Sequence, residues 1–290
     1  MTACGRIGFE QGGDGGVARD EDGRPTGVDG VAACNYSPWG VPQTEALLSS
    51  PATDWGPHLS RDGLTLYFAS NRNGGGDELF HTERASSTSA WQAPSLVPLT
   101  ATIGVADDPS TSVDELELFW GPGVQYATRA TIAAPWTPRG SAMITAAGFS
   151  IEGGADLSAD GLTILFTGRE TADMRWHQYQ ATRVSIGAPW SAAAAIPLAH
   201  TAEGEAFGSY SGDLLDIVFS YETTQRAMEA TRATVNDPFG AATPIVELDQ
   251  AGWFAADPDL SDDRLTMWFA TNRSGNAGDY DLWFSTRTCL

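Results

Sequence analysis

Five times along the chain a turn and an apolar strand are written in closely similar letters. The segments are PHLSRDGLTLYF (57–68), PSTSVDELELFW (109–120), ADLSADGLTILF (155–166), GSYSGDLLDIVF (208–219) and PDLSDDRLTMWF (258–269). Their anchoring leucines, Leu64, Leu116, Leu162, Leu215 and Leu265, are spaced 52, 46, 53 and 50 residues apart. A second element follows in each unit, a Thr-Arg or Glu-Arg step ending at Arg84, Arg129, Arg183, Arg232 and Arg287. A third follows in four of the five: WQAPSLVPL, PWTPRGSAMI, PWSAAAAIPL and PFGAATPIVEL. A chain built this way has to fold as a repeat, because one unit alone cannot cover its own apolar face.

Each unit reads as short strands separated by turns. Ser-x-Asp-Gly suits a tight turn, through side-chain capping by Asp and positive φ at Gly. LTLYF, LTILF and LTMWF carry the β-branched and aromatic residues of sheet strands. About four strands in a period of about 50 residues predict the blade of a propeller. The expected fold class is therefore all-β, a five-bladed β-propeller with blades starting near 54, 106, 152, 203 and 255. The fifth unit ends three residues after Arg287, with no room for its outer strand. PWGVPQTEALL at 38–48 resembles WQAPSLVPL, so this N-terminal strand is expected to complete the last blade and close the ring. Cys34 and Cys289 flank the two strands so joined, which predicts a disulfide and an oxidising compartment. The chain-entropy model allows such a long loop up to about 5 kcal/mol.

The first 33 residues differ in kind. GRIGFEQGGDGGVARDEDGRPTGVDGVAA is rich in Gly and Asp and poor in apolar residues, a composition expected of a flexible tether. It follows Met-Thr-Ala-Cys, which looks like the tail of a bacterial lipoprotein signal and makes Cys4 a candidate for lipidation. The expected domains are thus a tether over 1–33 and one propeller over 34–290.

The motif Pro-x-Leu-Ser-x-Asp-Gly-Leu-x-Leu-x-Phe, with Ser-Asn-Arg-x-Gly and Asp-x-Leu-Phe/Trp after it, resembles the TolB-type (WD-like) propeller repeat. The likeness spans residues 38–290 and is strongest in units one, three and five. It implies the propeller fold and a secreted or periplasmic location in the bacterial cell envelope. It implies protein binding more than any reaction.

Function is less legible. Acidic residues outnumber basic ones 37 to 16, a formal charge of −21, and every basic residue is Arg. Such a surface repels nucleic acid and anionic lipid, so a membrane is reached only through a lipid anchor. The Asp of each turn (Asp62, Asp114, Asp160, Asp213, Asp263) and the five repeated arginines read as blade structure. Trp136 and Trp190 read as packing between blades. His58, His81, His177 and His200 show no metal-ligand spacing.

The segments ahead of the inner strands are more informative, since each brings a carboxylate toward the channel: Asp54, Asp107 and Asp108, Glu152, Glu203 and Glu205, and Asp257. Together with Trp55, the residues Asp54, Asp108, Glu152, Glu205 and Asp257 are expected to form an acidic ligand-binding mouth. That mouth suits a protein, peptide or glycan, and its oxygens suit calcium. The leading expectation is non-catalytic binding by a monomer without a required cofactor. A glycoside hydrolase-like enzyme is the alternative, with Asp54, Asp108 and Glu152 as its acids and Trp55, Trp253 or Phe254 stacking on sugar. A purely structural envelope protein is the third.

Overall fold

A computed structural model describes residues 34–290, apart from 102, 199–202, 251 and 274; Cys4 and the tether lie outside the described residues. The structure is all-β, with five four-stranded antiparallel sheets. Each sheet begins with one strand at the centre: Asp54–Leu59, Asp107–Thr111, Phe149–Leu157, Glu205–Tyr210 and Ala255–Leu260. Each of these neighbours its counterpart in the next blade, and the fifth neighbours the first, so the ring closes.

The repeated letters account for the blade. In every turn the serine hydroxyl donates to the Asp two residues on (Asp62, Asp114, Asp160, Asp213, Asp263). The same carboxylate accepts the N–H of the anchoring leucine. Between them sits a residue with positive φ: Gly63, Glu115, Gly161, Leu214 or Arg264. The repeated arginine donates its Nε–H to that residue's carbonyl in all five blades. Its guanidinium then lies over the aromatic ring of the third element: Trp91, Trp136, Trp190 and Phe239. One Arg thus ties turn, strand and outer strand of its blade together.

Apolar cores lie between blades rather than inside them. Phe68, Trp120, Phe166, Phe219 and Phe269 stand at one repeat position and are all buried. Truncating such a residue to Ala costs about 3–5 kcal/mol. Trp136 is fully buried in the interface of the first two blades, with Tyr67, Leu79 and Trp120.

Closure occurs as the N-terminal letters predict. Gln43–Thr44 pairs with Asp281–Thr286 as the outer strand of the fifth sheet. Trp39 lies under Arg287, in the place the outer-strand aromatic takes in the other blades. Cys34 and Cys289 form a disulfide across 255 residues of sequence. Disulfides persist outside the reducing cytosol, so an extracytoplasmic location fits this bond.

Candidate functional site: the mouth of the channel

The central strands are interrupted at a shared position in every blade, and that of the third blade a second time between Ile151 and Gly153. Register shifts fall between Trp55 and His58, Asp107 and Ser110, Gly153 and Asp156, Ala206 and Ser209, and Ala256 and Asp259. Inside each shift one residue has positive φ: Gly56 (54°), Asp108 (43°), Gly154 (68°), Phe207 (48°) and Asp257 (50°). A bulge of this kind bends the strand and re-aims its side chains. Glycine adopts the conformation freely and Asp tolerates it, whereas an aromatic residue is held there at a cost of about 1–3 kcal/mol. The bulges abut one another around the channel. A Cβ on Gly56 would come within 2.6 Å of the Asp108 carboxyl and 2.8 Å of its backbone nitrogen. Asp257 accepts the N–H of Gly56, and Asp108 accepts that of Gly154.

Two residues beyond the bulge, a lower layer closes the ring by hydrogen bonds. The side chain of His58, Ser110, Asp156, Ser209 or Asp259 accepts a backbone N–H from the next blade. The donors are Thr111 (3.1 Å), Leu157 (3.0 Å), Tyr210 (2.8 Å), Leu260 (3.1 Å) and Leu59 (2.9 Å) respectively. Because His58 Nε2 accepts, its proton is assigned to Nδ1, which donates to Asp259 at 3.1 Å. His58, Asp156 and Asp259 could share a cation, their ligand atoms lying within 4.8 Å of one another. Arg61 already supplies positive charge there: its guanidinium is attracted by Asp156 and Asp259, and it bonds the Leu157 carbonyl and Asp262. Burial pushes the Asp156 carboxyl up to about 6, with Arg61 pulling the other way. On the third blade Glu170, Asp173 and His177 form a second group of cation-ligand spacing.

Above the lower layer the channel opens into an off-centre pocket of about 290 Å³. Trp55, Trp176, Phe207, Tyr221 and Tyr280 wall it. Tyr280 donates its hydroxyl to Gln225 at 2.9 Å, linking the fourth and fifth blades across the rim. Trp176 and Phe207 meet edge to face at 5.1 Å. Asp107, Asp108, Asp257 and Glu222 add four carboxyls to the lining. Burial lifts Asp257 to about 7, with the Asp107 charge adding to the rise. Burial and the neighbouring Asp77 lift Asp107 to about 6. Asp108 is raised well above the usual carboxylate range by burial, then by Asp257 and Asp107.

Trp55, Asp108 and Asp257 therefore meet at the mouth; Asp54, Glu152 and Glu205 do not line it. Asp54 is fully buried, accepting from Ser50 N–H and Oγ–H (both 2.9 Å) and pairing with Arg72 (2.7 Å). Glu205 is buried against His177 Nδ1 at 2.8 Å. Glu152 lies beside Ser150, whose hydroxyl donates to it. These three stand two residues before the bulge, so the trio Asp54, Asp108 and Glu152 is not assembled around one pocket. Trp253 lies against the Arg273 guanidinium, and neither it nor Phe254 lines the pocket.

Phe207, Trp176, Tyr221, Glu222 and Tyr280 escaped the sequence reading. Only Phe207 left a trace there, as the one aromatic at a position that is Gly or Asp in the other four blades.

No family model and no curated protein matches this sequence. Solved structures do resemble its fold. TolB from Acinetobacter baumannii is 16% identical with a TM-score of 0.51, the match covering 83% of this chain and 56% of that one. The chain thus spans a little over half the length of that TolB. A family 117 glycoside hydrolase from Zobellia galactanivorans is 12% identical with a TM-score of 0.54, covering 87% of this chain and 89% of the other. An alpha-L-arabinofuranosidase from Podospora anserina, solved with cellotriose, is 12% identical with a TM-score of 0.53, covering 88% and 97%. At these identities the likeness concerns the fold, a propeller architecture common to TolB and to glycoside hydrolases.

Proposed function

We propose that this chain is a non-catalytic recognition propeller of the bacterial cell envelope, binding a protein, peptide or glycan at the mouth pocket. One observation carries the reading: an aromatic-walled cavity of about 290 Å³ at the channel mouth, two of whose acids, Asp108 and Asp257, each accept a backbone N–H from the next blade. Pockets for small ligands are mostly apolar with a few placed polar groups, and this one has that make-up. The disulfide supports an extracytoplasmic setting. Lipidation of Cys4 would hang the propeller from a membrane, and calcium shared by Asp108 and Asp257 would belong to the same site.

A hydrolase is the second reading. Carboxyls held near 6 and 7 beside a pocket suit proton donation. Titration of a peptide and oligosaccharide panel, followed by tryptophan fluorescence, is expected to show saturable binding that Trp55→Ala weakens at least tenfold. Chromogenic aryl glycosides are expected to stay intact over hours. Turnover of such a glycoside, abolished by Asp108→Asn in a folded protein, would replace binding with catalysis.

A further inference from the structure

The two layers of the channel differ in one chemical respect. In the lower layer Asp156 and Asp259 face Arg61, a cation from the chain itself. In the mouth, Asp107, Asp108, Asp257 and Glu222 line the pocket with no basic side chain among the described residues of its lining. The Asp107 Oδ1 is buried without a hydrogen-bond partner among those residues. Three of these carboxyls repel one another, and five aromatic side chains surround them.

From this contrast we infer that the mouth pocket receives the basic side chain of a peptide or protein partner, its ammonium or guanidinium seated between the aromatic walls against Asp108 and Asp257. The inference rests on the binding reading above and narrows its ligand.

The choice among cations and sugars follows from the lining. A hard metal ion takes six to eight converging oxygens. Here Asp108 and Asp257 each spend acceptor capacity on a backbone N–H, and the rest of the wall is mainly ring carbon. Organic cations gain from ring faces as well as from carboxylates. A neutral sugar would bury the mutual repulsion of the acids further without relieving it. At about 290 Å³ the cavity lies at the small end for ligand sites, fitting one side chain rather than an extended glycan. The net charge of −21 favours the approach of a basic partner.

The test uses Nα-acetyl-arginine amide as probe on the full chain, by calorimetry with tryptophan fluorescence in parallel. The titratable groups at the pocket are its four carboxyls and the phenols of Tyr221 and Tyr280, with Asp77 near Asp107. Asp107, at about 6, and Asp257, at about 7, change charge between pH 5.5 and 8, while burial raises the Tyr280 phenol. Binding is expected at pH 8, at least about tenfold weaker at pH 5.5 as Asp107 and Asp257 take up protons. It is expected to be lost in Asp257→Asn, with circular dichroism unchanged. Agmatine, a free guanidinium amine, is expected to bind no more tightly than the blocked amino acid; if it binds much more tightly, the source is a free amine and the peptide assignment fails. Absence of arginine-amide binding, or binding indifferent to both pH and Asp257→Asn, overturns the inference. If methyl glycosides or neutral peptides then bind in a Trp55-dependent way, the binding reading survives without it. If nothing in the panel responds to Trp55→Ala, that reading falls as well.

Discussion

The lower layer and the mouth use the same five strands, only two residues apart, yet they hold their carboxylates differently. Asp156 and Asp259 each accept a neighbouring blade's N–H and share the attraction of Arg61. Asp108 and Asp257 also accept an N–H from the next blade, but what faces them is each other, Asp107 and aromatic carbon. Equal backbone geometry therefore does not give equal electrostatics. The lower layer sets a cation of the chain's own against its carboxylates and fastens the ring, while the lining of the mouth leaves its charge unbalanced.

The largest effect that can break this comparison lies at Arg61. Arg61→Met keeps the length of the stem and removes the charge, stranding Asp156, Asp259 and Asp262. Removing one partner of a buried pair costs about 3–5 kcal/mol, and urea unfolding at pH 8 is expected to show a loss of that size. The loss should shrink as pH falls below about 6, where Asp156 gains a proton. Asp156→Asn in the Arg61→Met background should restore part of it at pH 8. A neutral Arg61→Met would mean the lower layer is no better balanced than the mouth.

Asp257 tests the mouth with the opposite sign. Its folded value of about 7 lies above the unfolded 3.8, so the folded protein holds the extra proton between those limits. Stability from this group is complete below about pH 4 and lost as pH rises through about 7. Asp257→Asn cannot ionise and keeps an oxygen for the Gly56 N–H. It is expected to stabilise the protein by about 1–3 kcal/mol at pH 8 and to change little at pH 4.5. Self-repulsion of the whole acidic surface has the same sign, so the variant is compared with wild type at each pH. A destabilising Asp257→Asn at pH 8 would show a carboxylate satisfied after all.

Much of the fold could be read from the sequence because each repeated letter has a local task. Ser60, Asp62, Arg84 and Trp91 close one turn and one blade among themselves, and their counterparts do the same four times more. Even closure was legible, since Trp39 carries the signature of an outer strand at the wrong end of the chain. The mouth was half legible. Asp54, Asp108, Glu152, Glu205 and Asp257 look alike in the sequence, all lying just before a strand. The bulge separates them: residues with positive φ reach the mouth, and those two places earlier turn to partners such as Arg72 and His177. The walls were hidden for another reason. Trp176, Tyr221 and Tyr280 come from other strands and hairpins, and only the ring brings them beside Asp257.

Phe207 sharpens the comparison with the smallest effect on stability. It takes the conformation that its counterparts take as Gly or Asp, and its N–H donates to Thr167 Oγ1 at 2.7 Å. Phe207→Asn suits positive φ and should relieve about 1 kcal/mol of strain. It also removes the edge-to-face contact with Trp176, worth a similar amount, about 0.5–1.5 kcal/mol. The net change in unfolding free energy is expected within about 0.5 kcal/mol of zero, while ligand affinity at the mouth falls at least tenfold. A strained aromatic that contributes nothing to stability and much to binding belongs to the site. A variant that binds as well as wild type, or one that unfolds several kcal/mol earlier, would make Phe207 a packing residue of the fourth blade instead.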